Sequence, residues 1–192
     1  ALAPGGDLLV LDALAQQIFR VAGATAGGEV TALPLQASFY RPRGLAVDAA
    51  GNLAVADTGG GRVVLLSPDG APQREFGGQG SPLSRGQPVD VLAIGVLLPA
   101  DSQPTVVDAR GVGPALWAIS AEDGRLWNLP VDGSLTAVQP SGTVDGPRLA
   151  QLSDGRLLAS DPARASFTLF SPAGEPLAQF GYVGELQLPT GL

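Results

Sequence analysis

Residues 44–57 read Gly-Leu-Ala-Val-Asp-Ala-Ala-Gly-Asn-Leu-Ala-Val-Ala-Asp, and the stretch recurs. Residues 1–12 read Ala-Leu-Ala-Pro-Gly-Gly-Asp-Leu-Leu-Val-Leu-Asp, and residues 149–161 read Leu-Ala-Gln-Leu-Ser-Asp-Gly-Arg-Leu-Leu-Ala-Ser-Asp. Each is a short apolar run, a Gly-centred turn, a second apolar run and a closing Asp. A shift of 45 residues lays Ala1–Val21 on Ala46–Leu66 without a gap. Gly6 then falls on Gly51, Asp12 on Asp57 and Ile18 on Val63. A shift of 104 lays Leu45–Gly77 on Leu149–Gly181, again without a gap. Ser67-Pro68 falls on Ser171-Pro172, Gly70 on Gly174, and Phe76-Gly77 on Phe180-Gly181.

A repeat of 40–50 residues made of short strands is the pattern of a β-propeller blade. The chain therefore reads as all-β, a propeller built of four-stranded antiparallel blades, with four blades visible. Their bounds fall at about 1–41, 42–86, 87–146 and 147–188, and 189–192 opens another blade strand. In the second blade the expected strands are Gly44–Asp48, Asn52–Asp57, Arg62–Ser67 and Gln73–Phe76. Pro68-Asp69-Gly70 marks a tight turn, because Pro presets φ and Gly accepts positive φ. Val63-Val64-Leu65-Leu66 is continuously apolar, as expected of a strand covered on both faces when blades stack. The third blade is divergent. Even spacing favours first to fourth strands at Pro88–Ile94, Thr105–Asp108, Leu116–Ser120 and Arg125–Leu129, with Leu135–Val138 extending or replacing the fourth. Val96–Gln103 is then a loop insertion. Another register puts Leu116–Ser120 on the second strand and loses the Asp. The preferred register makes Asp12, Asp57, Asp108 and Asp161 repeat markers, one per blade.

Composition narrows the chemistry. The chain has 192 residues, 27 Gly and 17 Pro, and no Cys, Met or His; all eleven cations are Arg. Many short strands and tight turns suit that mix. Without Cys there is no disulfide or thiolate metal site. Without His there is no His-based zinc site, no Ser-His-Asp triad and no imidazole base. The net charge of −7 repels a phosphate backbone and argues against nucleic acid as a partner. The longest apolar run, Val91–Pro99, is about half of what a membrane span needs, so no transmembrane segment is expected. No signal peptide is read at the start. The missing initiator Met and the Leu188-Pro-Thr-Gly-Leu192 ending point to a piece cut from a longer array.

Pro42-Arg-Gly-Leu-Ala-Val-Asp-Ala-Ala-Gly-Asn-Leu-Ala-Val-Ala-Asp-Thr58, followed by Gly61-Arg-Val-Val64 and Pro68-Asp-Gly70, resembles an NHL repeat. The first and fourth blades match it less closely, with Gln17 and Ser166 at the Arg62 position, and the third matches weakly. The resemblance implies a ring of about six blades, with about two beyond the four seen here. Four-bladed rings of similar length exist in other families, so a closed ring of four is the alternative. The family includes protein binders, binders of RNA through a basic face, and extracytoplasmic domains of bacterial envelope proteins. Its relatives include metal-dependent lyases and lactonases. The resemblance therefore implies a non-catalytic binding or scaffolding module of a bacterial extracytoplasmic or membrane-associated protein. The expected partners are another protein or further blades of the same polypeptide. No cofactor, metal site or catalytic residue is assigned. The competing reading is a Ca²⁺-dependent lactonase or related hydrolase using Asp, Glu and Asn at the axis; an RNA-binding module is the weaker third.

The candidate binding residues are Phe39, Tyr40, Arg41 and Arg43, with Tyr182 at the matching place in the fourth blade. They lie on links between blades, which run near a propeller's axis. Paired Arg beside aromatics grip an anionic ligand or partner. The plainer reading packs the aromatics between blades and leaves Arg in solvent. The marker Asp residues invite a Ca²⁺ reading, since Ca²⁺ takes several oxygen ligands. Repetition in every blade favours a structural one, in which each carboxylate accepts bonds from the turn that follows and Asp57 pairs with Arg62. Asp48, Asp69, Asp123 and Asp132 read as turn formers. Trp117 and Trp127 read as core, with a ligand-stacking platform as the alternative.

Overall fold

The structure is a computed structural model, and it describes residues 1–23, 28–95, 115–129, 136–140, 147–162 and 164–181. Among these residues are fifteen strands and one short helix. Sheet I holds β1 (Leu8–Asp12), β2 (Gln17–Val21) and β3 (Val30–Ala32). Sheet II holds β4 (Gly44–Val47), β5 (Leu53–Asp57), β6 (Arg62–Leu66) and β7 (Pro72–Gly77). After helix α1 (Pro82–Gly86), sheet III holds β8 (Pro88–Ile94), β9 (Ala115–Ser120), β10 (Arg125–Asn128) and β11 (Thr136–Pro140). Sheet IV holds β12 (Leu149–Gln151), β13 (Leu157–Asp161), β14 (Ser166–Phe170) and β15 (Pro176–Phe180). Every sheet is an antiparallel meander in chain order. In sheet I the place of the inner strand is held by Ala1–Ala3, through one bridge from Leu2 to Leu8 and the bond from Leu9 N to Ala1 O at 2.8 Å.

Local sequence explains these elements. The β6–β7 hairpin turns at Pro68-Asp69-Gly70, where Gly70 has φ +88° and its N–H donates to Ser67 O at 2.9 Å. Gly pays no Cβ penalty in that region, and the turn is followed by a register shift beside Leu66. Sheet IV repeats the device: Gly174 N donates to Ser171 O at 2.9 Å. The helix was not anticipated. Ser81 caps it by accepting from Ser84 N at 3.0 Å, and Pro82 fills the first turn, where a missing N–H costs nothing.

Stacking accounts for the apolar runs. In β5 and β6, Leu53, Val55, Val64 and Leu66 face sheet I and join Leu9, Ile18, Leu33 and Phe39. The alternate residues Ala54, Ala56, Val63 and Leu65 face sheet III and join Val91, Leu116, Ala118 and Trp127. The period of two thus sends successive side chains into two different cores. A third core, with Trp117, Ile119, Leu126, Leu157 and Phe170, lies between sheets III and IV. Sheets II and III approach closely at their inner strands. A Cβ on Gly44 would lie 2.8 Å from Asp90 Cα and 2.9 Å from Val89 O, so only Gly fits that contact.

The third sheet corrects the preferred register. β8 pairs directly with β9, matching Leu92 to Trp117 and Ile94 to Ala115. Leu116–Ser120 is therefore in the second strand, and Arg125–Asn128 is in the third. The preferred second strand, Thr105–Asp108, and the segment Val96–Gln103 lie outside the described residues. Even spacing misled because the long connection falls between the first two strands of this sheet. The position that closes the second strand holds Asp12, Asp57 and Asp161 in the other sheets and Ser120 here. Ser120 is fully buried and its Oγ accepts from Trp127 Nε1 at 2.8 Å.

Candidate functional site

The inner strands of sheets II to IV begin on one face of the stack, and the second strands of the sheets end there. That topology gathers the residues of chemical interest. Asp12 Oδ1 accepts from Leu14 N at 2.9 Å and Ala15 N at 2.8 Å, both in the following turn. Asp161 Oδ1 accepts from Arg164 N at 3.1 Å. Asp57 differs. Its Oδ1 accepts from Tyr40 N at 2.6 Å, in the link that precedes the sheet, and its Oδ2 from Arg62 Nε at 2.8 Å. Arg62 also reaches Glu75 and Ser38 O, each at 2.8 Å. One buried carboxylate thus ties the inter-sheet link to the second and third strands of sheet II. At the Arg62 position of sheets I and IV, Gln17 Nε2 donates to Leu33 O at 2.6 Å, and Ser166 Oγ accepts from Gln179 at 2.9 Å.

The candidate binding stretch divides. Phe39 is buried in the core between sheets I and II, as is Pro42 against its surroundings. Tyr40 is 59% exposed and its ring lies over Gly59, where an added Cβ would meet it at 2.5 Å. Arg41 is exposed and takes φ +54°, a conformation unusual for a side chain of this size. Arg43 is exposed and lines a cavity of about 380 Å³ at the inner ends of the sheets. Tyr182 lies outside the described residues. Trp117 and Trp127 are 1% and 2% exposed, in two different cores. They form no ligand platform, because each indole is enclosed by neighbouring sheets.

The cavity brings together groups from every sheet. Ala1, the β1 segment Leu8–Leu11, Gly44 and Leu45 line it, and Arg43, Asp90 and Arg148 give it charge. Asp90 stands on β8 between the inner strands of sheets II and IV. Its Oδ2 accepts from Leu149 N at 2.9 Å, across the sheet boundary. Arg148 N donates to Ser160 Oγ at 2.9 Å, which fixes the backbone beside its guanidinium. Burial pushes the Asp90 carboxyl above the usual carboxylate range, opposed by the Leu149 N–H and by the positive charge of Arg148. Among the described residues no three His, Cys, Asp or Glu side chains are grouped as metal ligands.

Comparison with known proteins agrees with this geometry. A family model described as NHL repeat matches residues 39–64, which span the Phe39–Arg43 link, the first two strands of sheet II and the start of its third. This chain is a β-propeller chain carrying an NHL repeat. Virginiamycin B lyase from Staphylococcus aureus superposes with a TM-score of 0.67 at 15% identity, over 94% of this chain and 53% of that one. A streptogramin B lyase superposes at 0.68 with 17% identity, over 99% and 54%. A functionally unknown protein from Desulfotomaculum acetoxidans gives 0.58 at 15%, over 100% and 58%. The chain thus spans about half the length of the solved propellers it resembles. At identities this low the superpositions establish a shared fold and nothing more. No curated protein sequence matches.

In this NHL-type frame, the sequence reading singled out Arg43 and did not single out Asp90 or Arg148, which line the same cavity. Arg148 stands at the repeat position of Gly44, where side-chain identity changes from sheet to sheet. Asp90 was read as part of an apolar strand. The raised Asp90 carboxyl has a consequence for stability. Its folded form holds the proton to higher pH than its unfolded form, so its contribution is most favourable at acid pH. That contribution is lost as pH rises from the ordinary carboxylate range through the raised value. Asp90→Asn keeps an acceptor for Leu149 N and removes the titration. The melting temperature of the native chain is expected to fall relative to this variant as pH rises through that window; parallel curves would refute the assignment.

Proposed function

We propose that this chain is a binding module, and that its ligand face is the one on which the inner strands begin. One observation carries the reading. Arg43, Asp90 and Arg148, carried by three separate sheets, line one open cavity where the inner strands of those sheets begin. Two guanidiniums and one partly buried carboxyl favour a ligand that offers a carboxylate and an apolar body, such as the C-terminal end of a peptide. Exposed Tyr40 and Arg41 border the same face and would extend the contact. The net charge of −7 disfavours RNA.

An enzymatic reading has less behind it. One of the superposed structures is a catalytically inactive virginiamycin B lyase in which a His is replaced by Ala, and this chain has no His. The carboxylates Asp12 and Asp57 accept from backbone or Arg donors, and Asp161 accepts from Arg164 N through Oδ1 alone. The expected extracytoplasmic setting in a bacterium rests on the family resemblance, and cell fractionation tests it.

The binding reading is tested by fluorescence anisotropy with labelled peptides ending in an apolar residue. A free C-terminal carboxylate is expected to bind and the amidated peptide to bind at least about tenfold more weakly, the order of one charge-assisted hydrogen bond. Arg43→Gln together with Arg148→Gln should cause a similar loss. Equal binding by both peptides, or by the double variant, would refute the reading.

A further inference from the structure

Gly44, Asp90 and Arg148 stand at one level of three adjacent sheets. Gly44 is opposite Ala56, and Asp90 is opposite Ile119. Arg148 exchanges two hydrogen bonds with Ser160: its N donates to Ser160 Oγ and its O accepts from Ser160 N, each at 2.9 Å. A carboxyl and a guanidinium are thus set side by side where neighbouring inner strands begin, with Arg43 one residue before Gly44. Sheet III makes a local exception to place its carboxyl. Pro88 is opposite Ser120 and Asp90 is opposite Ile119, so Val89 has no partner of its own on β9. The inner pairs β4–β5 and β12–β13 run without such a shift. A bulge of this kind re-aims the side chain beside it.

The carboxyl is then held in place. Its Oδ2 accepts from Leu149 N at 2.9 Å, one residue from Arg148. On the other side, an added Cβ on Gly44 would lie 2.8 Å from Asp90 Cα, so the two backbones are in contact. Asp90 therefore stays at the cavity that Arg43 and Arg148 also line. Among the described residues, the other elements around it bring no second titrating carboxyl to the cavity. Strands β4, β9 and β12 have no titratable side chain. Strand β5 ends in Asp57, which accepts from Tyr40 N and Arg62 Nε, and β1 ends in Asp12, which accepts from its own turn. The amino group of Ala1 lies at the cavity wall and donates to Leu9 O at 2.8 Å.

We propose that anion binding at this cavity is coupled to a proton on Asp90: the site takes up a proton as it takes an anionic end, and holds that end more weakly as pH rises. The inference rests on the ligand reading above and names its control. With Asp90 ionised, its charge competes with the ligand for the guanidinium of Arg148. With Asp90 protonated, the cavity carries two guanidiniums and no carboxylate. Burial favours the neutral form, opposed by the Leu149 N–H and the Arg148 charge, so protonation sets in above the ordinary carboxylate range. An incoming anion shifts the balance further, since it repels a carboxylate and not a carboxylic acid. Linkage is reciprocal: whatever the ligand does to the proton's affinity, the proton does to the ligand's.

Isothermal titration calorimetry tests this with an N-acetylated peptide that ends in an apolar residue and a free carboxylate. That carboxylate ionises at roughly 3.5, so from about pH 5 upward the peptide's own charge is constant. Between about pH 5 and pH 7 the native chain is expected to lose at least about fivefold in affinity. Runs in two buffers of different ionisation enthalpy should show protons taken up on binding. Asp90→Asn, with its fold checked by far-UV circular dichroism, should lose both the pH dependence and the uptake. Binding by the native chain that is level with pH and takes up no proton overturns this inference, and leaves the ligand reading standing if the amidated peptide still binds more weakly. No binding of the carboxylate peptide at any pH removes both. Proton uptake that persists undiminished in folded Asp90→Asn assigns the proton to another group, such as the Ala1 amino group, and overturns the inference as well.

Discussion

Trp127→Ala is expected to lower the unfolding free energy by about 4 kcal/mol, within the range for removing a large buried aromatic. The indole is 2% exposed and packs between sheets II and III with Val63, Leu116 and Leu129. Its Nε1–H donates to Ser120 Oγ at 2.8 Å, at the position where the other sheets close with an Asp. Truncation leaves a cavity at the boundary of sheets II and III, and the cost grows with the volume that the neighbours fail to fill. Urea unfolding should show a lower midpoint with an unchanged slope. Trp127→Phe separates the terms: it keeps most of the volume and loses the hydrogen bond, so its cost should be about 1–2 kcal/mol. A cost below 1 kcal/mol for the alanine variant would show that this boundary is not a packed core.

Asp57→Ala is expected to cost about 3 kcal/mol, because it strands two donors at once. The carboxylate is fully buried and accepts from Tyr40 N and Arg62 Nε. Its loss leaves Arg62, itself 23% exposed in its side chain, with Glu75 and Ser38 O as partners and loosens the link that carries Tyr40 and Arg41. Asp57→Asn keeps an acceptor for Tyr40 N and should cost less. Calcium provides the contrast with a metal-site reading. Titrating Ca²⁺ into the native chain should leave the melting temperature unchanged; a large rise that disappears in Asp57→Ala would assign the residue to an ion.

The repeat made most of the fold legible before any coordinates. Two ungapped shifts located sheets I, II and IV, and in sheet II each observed strand boundary lies within a residue or two of the expected one. Turn chemistry did this work: Gly70 and Gly174 need positive φ whatever surrounds them. Asp12 is a similar case, since its bonds run to residues two and three positions on. These are local properties, and local properties survive in a linear text.

Sheet III and the cavity were decided by tertiary contact. Nothing near Leu116 says that its strand neighbour is Ala93 rather than a segment ten residues before it; pairing across a long connection is settled by which apolar face meets sheets II and IV. The same holds for Asp57, whose nearest backbone donor comes from residue 40, in the link before the sheet. Asp90 and Arg148 are 58 positions apart in the chain and share no motif. They meet at one cavity because the inner strands of stacked sheets begin side by side, and that neighbourhood is a property of the stack that no single blade contains.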